Sequence, residues 1–328
     1  MLARARALPR GRAILIGLAV IAVLAVAVVW WQASKGAPTT AAATSPTASP
    51  TLSPTPTASP SPTPTPAPTP NPFASRRLTL LVLGTDSNAI RLRRSGRLTD
   101  SIIVLSVNAA HTQVSMISFP RDIVDIPLGN GLLWRSKING ISYYRGEPAM
   151  KKAISATLKQ PIDYYIEVNM PDFGALVNAI GGVDIRVPKA IYDPSVGLSI
   201  RAGLHHMNGN LALTYARSRH TTSDWDRAAR QQLLLAAIIR KLVGPRTKVD
   251  FPALLRSLKS LKTDMPLTSF VGFVQVARTA AAAKIVGKVL SPPQFSFFSG
   301  IEAGTGRGYI EEPNLKAIRA YAAKAMAN

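Results

Sequence analysis

Short apolar runs alternate with helical patterns through the middle of the chain and predict strands interleaved with helices. The apolar, β-prone runs predict one strand at 77–87, two more within 101–122 that a turn at 108–112 joins, and another at 163–170. Between the last two of these regions, residues 147–160 have the spacing of a helix. Strands that alternate with helices in this way are typical of a sheet that carries helices on its faces.

From residue 171 onwards the pattern is mainly helical. A helix at 171–182 begins with Pro-Asp and ends in a pair of glycines, the usual punctuation of a helix, and a short strand at 183–188 follows it. Beyond residue 208 helices dominate, at 209–216, 225–243, 251–262, 266–282 and 313–327. The pattern therefore predicts one α/β domain over residues 73–328, a sheet sandwiched between helical layers that residues 244–328 complete.

The N-terminal segment has a different pattern, which predicts a membrane anchor. Residues 13–31 contain no charge, span roughly 28 Å as a helix and end in two tryptophans. A cleaved signal peptide is the competing interpretation, but its apolar region is typically only about 7–15 residues long. Residues 1–12 contain four arginines and no acidic residue, so we expect them in the cytoplasm and the rest of the chain outside the cell membrane.

A proline-rich segment separates this anchor from the domain. Residues 37–72 contain twelve prolines among alanine, threonine and serine. This composition cannot bury a core and favours extended polyproline II, with a reach of up to about 110 Å. We expect a disordered stalk that holds the domain away from the bilayer.

Composition and charge limit the classes of function. The chain has 328 residues, 47% of them hydrophobic, no cysteine and a formal net charge of +22. The lack of cysteine excludes a disulfide scaffold and thiol catalysis. The positive charge permits nucleic acid, an anionic membrane surface or an anionic polymer as a partner, and the predicted location outside the membrane argues against nucleic acid.

Acidic residues lie where three of the predicted strands begin or end. Asp86 follows the first strand in "LGTDS", Asp100 precedes the second in "GRLTDS", and Arg121 and Asp122 follow the third in "SFPRD". Carboxylates at neighbouring strand ends can meet at one edge of a sheet, and two aspartates without histidine or cysteine suit Mg²⁺. The alternative is that these aspartates cap turns or pair with arginines.

The stretch "YARSRHTTSDWDRAARQQ" concentrates positive charge at the start of a helix. If Arg217 and Arg219 lie in an extended segment after a helix end, their side chains point the same way. Arg227, Arg230 and Gln231 fall on one face of the next helix. Because arginine binds phosphate bidentately, this arrangement suits a polyanion. A solvated helix start, with salt bridges to Asp224 and Asp226, explains the pattern equally well.

Taken together, these motifs resemble the LytR–CpsA–Psr family of bacterial cell-wall phosphotransferases. The matching pieces are "LGTDS", "RLTDSIIVLSVN", "VSMISFPRDIVDIP", "SKINGISYY", "PIDYYIEVNMPDFGALVNAIGGVDIRVP" and "YARSRHTTSDWDRAARQQ". They occur in the family's order across residues 78–243, behind a single predicted anchor as is usual in the family. The resemblance implies a central mixed β-sheet between helical layers.

The resemblance also implies an activity and a set of site residues. A polyprenyl-pyrophosphate carrier would donate a glycopolymer to peptidoglycan through a phosphodiester bond, with Mg²⁺ assisting. Asp86 and Asp100 would bind the metal, and Asp224 would orient the arginines. The pyrophosphate would be held by Arg97, Arg121, Lys137, Arg217, Arg219, Arg230 and Gln231. The family often has arginine two residues before the second aspartate, where this chain has Leu98 and carries Arg97 one residue further back.

Three points stay open at the level of sequence. Helices such as "FGALVNAI" and "SFVGFVQVA" could line a tunnel for the prenyl tail, but an ordinary core explains them as well. The base that removes the proton of the acceptor hydroxyl has no obvious candidate, so a free carboxylate and direct loss to solvent are both possible. The competing functions are a non-catalytic module that binds anionic cell-wall polymer and a pyrophosphatase that acts on the same lipid.

Overall fold

The computed structural model describes residues 71, 73–85, 98–219, 222–244, 249–257 and 261–327. The strands are β1 Leu78–Thr85, β2 Thr99–Val107, β3 Gln113–Ser118, β4 Ile126–Pro127, β5 Leu133–Trp134, β6 Tyr164–Asn169, β7 Val183–Val187, β8 Ile191–Asp193, β9 Leu198–Ile200, β10 Gly203–Met207, β11 Lys262–Thr263, β12 Lys284–Val289, β13 Ser296–Ile301 and β14 Tyr309–Pro313. The α-helices are α1 Ile141–Arg145, α2 Glu147–Leu158, α3 Met170–Ala179, α4 Gly209–Arg217, α5 Asp224–Val243, α6 Phe251–Ser257, α7 Leu267–Thr279 and α8 Leu315–Ala325.

A six-stranded mixed sheet forms the centre of the domain, in the order β11-β6-β1-β2-β3-β12. Strand β2 runs antiparallel to both β1 and β3, whereas β6 pairs parallel to β1 and β12 parallel to β3. The carboxyl ends of β1, β3, β6 and β12 therefore meet at one edge, the usual position of ligand sites in such sheets. The predicted α/β fold with a central mixed sheet is confirmed.

Helices cover both faces of this sheet because alternate residues of its strands are apolar on opposite sides. Leu81 and Leu83 of β1 belong to a buried cluster that includes Met150 and Ile154 of α2 and Ile318 of α8. Leu80 of β1 belongs to a second cluster on the other face, together with Val276 of α7 and, at its margin, Leu235 and Ile239 of α5. A third cluster holds α3, α4 and β7 against α5.

Helix α5 is fixed at both its start and its middle. Ser223 and Asp226 form a capping box: Asp226 N–H donates to Ser223 Oγ at 3.1 Å, and Ser223 N–H donates to Asp226 Oδ2 at 2.9 Å. Two turns on, the buried Gln232 amide donates to Ser118 Oγ of β3 at 2.7 Å and to the carbonyl of Lys288 in β12 at 3.0 Å. These bonds fix the position of α5 across the end of β3, which sets where its first turn lies.

The C-terminal part of the domain differs from the sequence-based expectation. The helices predicted at 251–262, 266–282 and 313–327 are found as α6, α7 and α8, but β12 also extends the central sheet and β13 pairs antiparallel with β14. The error has a physical cause: lysine and glycine interrupt the apolar run of β12, and much of β13 is exposed. Strands of this kind carry little periodic signal, and the pairing partner of β12, β3, lies far away in sequence.

Helices α3 and α4 cross at two glycines, which predicts a strong asymmetry between two similar substitutions. A Cβ atom on Gly209 would lie 1.9 Å from the carbonyl oxygen of Gly174, whereas a Cβ on Gly174 would lie 3.4 Å from that of Gly209. We expect Gly209→Ala to lower the free energy of unfolding by about 1–3 kcal/mol through overpacking, and Gly174→Ala to change it by less than about 1 kcal/mol. Urea denaturation of the two variants measures the difference, and equal midpoints would contradict this packing.

No helix within the described ranges is both long and apolar enough to cross a bilayer. The predicted membrane segment 13–31 and nearly all of the predicted stalk 37–72 lie outside those ranges.

Candidate functional site

A cavity of about 770 Å³ opens at the edge of the sheet where β1, β3 and β6 end. Seven of the residues that the sequence predicted for the site line it: Asp100, Arg121, Lys137, Arg217, Arg219, Asp224 and Gln231. They come from β2, from the loop after β3, from the segment after β5, from the end of α4 and the residues just beyond it, and from the first two turns of α5. Asp86 and Arg97, also predicted, lie outside the described residues, so their positions stay predictions.

A β-bulge directs Asp100 towards this cavity. Gly84 pairs with Ser101 and Thr85 pairs with Thr99, so Asp100 is the extra residue between two partners of β1. A bulge of this kind often re-aims a side chain beside a functional site.

Arg121 is the centre of the ion-pair network in the cavity. Its Nη1 lies 2.8 Å from Asp100 Oδ1, and its Nε lies 3.2 Å from Asp224 Oδ2 and 3.4 Å from Asp122 Oδ2. Burial alone would lower the pKa of Arg121, but the three carboxylates, Asp100 foremost, raise it above the ordinary value. Arg121 therefore stays charged and joins β2, the loop after β3 and α5. Lys137 Nζ adds a further cation, 2.7 Å from Asp122 Oδ1.

Asp224, the first residue of α5, forms ion pairs with three arginines. Arg219 Nε lies 2.6 Å from its Oδ1, Arg121 Nε lies 3.2 Å from its Oδ2, and Arg227 Nη1 lies 3.6 Å from its Oδ1. A carboxylate in the first turn of a helix is also favoured by the helix dipole. The geometry suits the orienting role predicted for Asp224.

Arg227 lines the cavity, and one of its donors is buried without a partner among the described residues. Its side chain is buried, and its Nε has no hydrogen-bond partner among the described residues. Burial lowers the pKa of Arg227, while Asp224 acts in the opposite direction. A buried N–H without a partner is costly, so this nitrogen is a point at which the described part of the chain leaves Arg227 unsatisfied.

Arg227 lines the cavity, whereas Arg230, which the sequence predicted for the site, points away from it. Arg230 is not among the residues that line the cavity; its Nε donates to the carbonyl of Tyr215 at 3.2 Å, and its Nη2 donates to the carbonyl of Ser218. Gln231 shares the cavity face with Arg227 because the two are four residues apart on α5. Arg230 thus holds the end of α4 and the residue after it in place. Its spacing of three residues from Arg227 does not bring both side chains to the cavity.

Arg217 and Arg219 both reach the cavity because α4 ends between them. Arg217 is the last residue of α4, and Ser218 adopts an extended conformation with φ −56° and ψ 135°. Side chains two residues apart on extended backbone lie on the same side. The sequence-based interpretation of this pair agrees with the backbone.

Asp193 holds this segment in place and was missed from the sequence. It is fully buried; its Oδ2 accepts from Ser218 Oγ at 2.9 Å and from Arg219 N–H at 2.7 Å, and its Oδ1 accepts from Ser195 N–H at 3.1 Å. The turn "DPSVG" after β8 gave a weak signal, since aspartate commonly accepts from the backbone two residues on.

Glu311 is a second residue that sequence reasoning missed. It lies on β14, which pairs with the loop after β3: Glu311 N–H donates to the carbonyl of Asp122 at 3.0 Å. Its Oε1 accepts from Trp225 Nε1 at 3.1 Å and its Oε2 from Ser296 Oγ at 3.3 Å. Burial is the main cause that raises the pKa of Glu311 to about 7; nearby Asp122 and Asp224 add to it, and the two hydrogen bonds oppose it. Glu311 lines the same cavity.

The metal prediction rests on Asp100 within the described part of the chain. Those residues contain no group of three or more histidines, cysteines or carboxylates arranged to hold a metal ion. Asp100 alone fits the preference of Mg²⁺, which binds through one or two carboxylates together with phosphate oxygens.

An apolar cavity of about 160 Å³ adjoins the polar one. Asp100, Met170, Ala216, Arg217 and Gln231 lie in the walls of both. Its apolar lining comes from β1, β2, α3, α4 and α5, and includes Val82, Leu83, Phe173, Leu176, Leu213 and Leu234. Of the two helices considered for a tunnel, α3 contributes to this lining, and no described side chain of α7 does.

Comparison with known proteins identifies related chains. Residues 49–294 match the model of the LytR_cpsA_psr family. The polyisoprenyl-teichoic acid–peptidoglycan teichoic acid transferase TagU of Bacillus mycoides is 29% identical over 194 residues, 58% of this chain and 61% of TagU. TagV of Bacillus subtilis, which carries the same transferase name, is 28% identical over 216 residues, 63% of this chain and 54% of TagV. The chain thus spans less than two thirds of these relatives.

A solved structure also has the same fold. The structure described as TagT bound to LIIa-WTA superposes with a TM-score of 0.58 at 20% identity, over 79% of this chain and 93% of that one.

Proposed function

The chain belongs to the LytR–CpsA–Psr family, and we propose that it transfers a glycopolymer from a polyprenyl-pyrophosphate carrier to peptidoglycan through a phosphodiester bond. In this proposal residues 13–31 anchor the protein in the cell membrane and the domain lies on its cell-wall side. The names of TagU and TagV support a transferase, with teichoic acid as one candidate polymer.

The observation that carries the proposal is the common wall of the two cavities. A lipid-linked pyrophosphate has a charged head and an apolar tail, and the two cavities offer one compartment for each. Arg217 and Gln231 stand in the wall that they share. A site built only for a soluble polyanion has no need of the apolar compartment.

The proposed reaction is a substitution at phosphorus. The acceptor hydroxyl oxygen bonds to the phosphorus that carries the polymer, the bond from this phosphorus to the bridging oxygen breaks, and prenyl phosphate leaves. Negative charge grows on the bridging oxygen, and fixed cations aimed at such charge stabilise the transition state. These cations are supplied by Arg217, Arg219, Arg227 and Lys137. Arg121 pairs with the carboxylates of the same cavity, Asp100, Asp122 and Asp224.

A magnesium ion would fit this scheme. Asp100, together with Asp86, would hold it, and when bound it would supply further neutralisation of the phosphate oxygens.

Binding of the donor head is tested with the full chain and undecaprenyl pyrophosphate. We expect the lipid at a hundred times its dissociation constant to stabilise the protein by about 2.7 kcal/mol, seen as a higher melting temperature, and Mg²⁺ to increase the effect. Arg217→Ala should lose most of this shift. Arg240→Ala, which removes an exposed arginine of α5, is the control and should keep it.

The alternatives predict different results in the same assay. No shift in folded wild-type protein would contradict the proposal and favour a module that binds cell-wall polymer without catalysis. An equal shift in the two variants would mean that the lipid head binds elsewhere.

A further inference from the structure

We propose that Glu311 is the general base of the transfer, the residue that accepts the proton of the attacking acceptor hydroxyl. This inference rests on the proposed function and assigns a role to the C-terminal hairpin of β13 and β14. Substitution at phosphorus by a hydroxyl must release one proton, and a positioned carboxylate commonly accepts it.

The other carboxylates of the cavity are engaged with cations. Asp100 pairs with Arg121, and Asp224 pairs with three arginines. Asp122 lies between Lys137 and Arg121. A carboxylate held in such pairs is a poor proton acceptor, because protonation would cost the attraction of its partners.

Glu311 differs from them in its partners. None of the ion pairs among the described residues includes it, and its two hydrogen-bond donors, Trp225 and Ser296, are neutral. Each oxygen of a carboxylate has two acceptor sites, so one remains on each oxygen beyond these two bonds. Glu311 is 1% exposed and is one of the residues of the cavity wall. In the proposal, the acceptor hydroxyl reaches its carboxylate directly or through one water.

The backbone fixes Glu311 beside the phosphate-binding groups. Its N–H donates to the carbonyl of Asp122, and its own carbonyl accepts from Val124 N–H at 3.1 Å. These bonds tie β14 to the loop that carries Arg121. The residue proposed as base and the central arginine are thus held by the same segment.

The charges around Glu311 suit a base that works near neutral pH. Asp122 and Asp224 face it as like charges, and the cations of the same cavity are Arg121, Lys137, Arg217, Arg219 and Arg227. With its pKa raised to about 7, Glu311 is a stronger base than an ordinary glutamate and is still substantially ionised at pH 7.

The proton balance of the step is simple. As the acceptor oxygen bonds to phosphorus, its proton moves to the Glu311 carboxylate, and the electron pair of the breaking bond stays on the prenyl phosphate. The neutral Glu311 then releases the proton to water, which restores the base for the next turnover.

The test is the pH dependence of transfer by the full chain, in wild type, Glu311→Gln and Ser296→Ala. In wild type the rate should rise with a midpoint near pH 7. Glu311→Gln should lower the rate by about 10²–10⁴-fold and abolish the rise of the rate with pH around this midpoint. Glutamine keeps the local geometry, since its carbonyl can accept from Trp225 and its amide can donate to Ser296.

Ser296→Ala separates a base from a merely structural glutamate. The Ser296 hydrogen bond lowers the pKa of Glu311, so its loss should move the midpoint to higher pH. The melting shift with undecaprenyl pyrophosphate should persist in Glu311→Gln, because the base does not hold the pyrophosphate.

Each outcome bears on one claim. If wild type transfers no polymer at any pH, the proposed function fails. If wild type transfers polymer and the rate of Glu311→Gln still rises with pH near pH 7, Glu311 is not the base, while the proposed function stands. If Glu311→Gln does not fold, an unmoved midpoint in Ser296→Ala overturns the inference.

Discussion

Arg121→Ala should reduce the rate of polymer transfer by about 10³-fold. Arg121 contacts the carboxylates of Asp100, Asp122 and Asp224. Without it, Asp100 loses its ion pair with Arg121, while Asp122 keeps Lys137 and Asp224 keeps Arg219 and Arg227, so the cavity becomes more negative towards the incoming pyrophosphate. The variant thus loses a cation and also gains repulsion against the donor.

Initial rates at saturating donor measure this effect, with two variants for comparison. Arg121→Lys keeps the charge but cannot reach three carboxylates at once, so we expect an intermediate rate. Arg135→Ala removes an arginine that is 76% exposed and pairs with Asp125, and it should transfer at the wild-type rate. Wild-type turnover in folded Arg121→Ala would mean that the network has no part in the reaction.

Asp193→Asn should give the largest loss of stability, about 2–4 kcal/mol in the free energy of unfolding. The Asp193 carboxylate is fully buried and accepts from donors on Ser195, Ser218 and Arg219. Asparagine offers one oxygen in place of two, and its amide group points hydrogens at donors that need an acceptor. The melting temperature should fall by roughly 5–15 °C for a domain of this size.

A second readout separates fold from function in this variant. Well below its melting temperature, Asp193→Asn should still transfer polymer more slowly, because Arg219 has lost the bond that fixes its backbone. Asp184→Asn is the matched control, since that carboxylate is 60% exposed and pairs with the exposed His206 on β10. Equal melting temperatures for the two variants would contradict the assigned role of Asp193.

The part of the fold with regular hydrophobic periodicity could be predicted from the sequence. The first three strands, the helix α2 and the long helix α5 lie close to where the pattern predicted them. Strands β12 to β14 were missed. Strand β12 depends on partners distant in sequence, β3 and Gln232, and the exposed residues of β13 show no regular alternation. Short strands whose pairing is non-local leave little trace in composition.

The candidate site was predictable to a similar degree. Charged motifs at strand ends and at the start of α5 gave seven residues that the fold brings to one cavity. The choice between Arg227 and Arg230 needed the rotation of α5, since both fit a helical face. Glu311 could not be found at all, because only the pairing of β14 with the loop after β3 brings it near Asp122.

The most direct test of transferase activity follows the phosphate itself. The full chain would receive a polyprenyl-pyrophosphate-linked polymer with ³²P at the phosphate next to the polymer, together with peptidoglycan, and the wall would then be digested to soluble fragments. We predict label bound covalently to wall fragments through a phosphodiester, and almost none with Arg121→Ala. Label that stays on the lipid, or appears only as free polymer phosphate, would contradict the account.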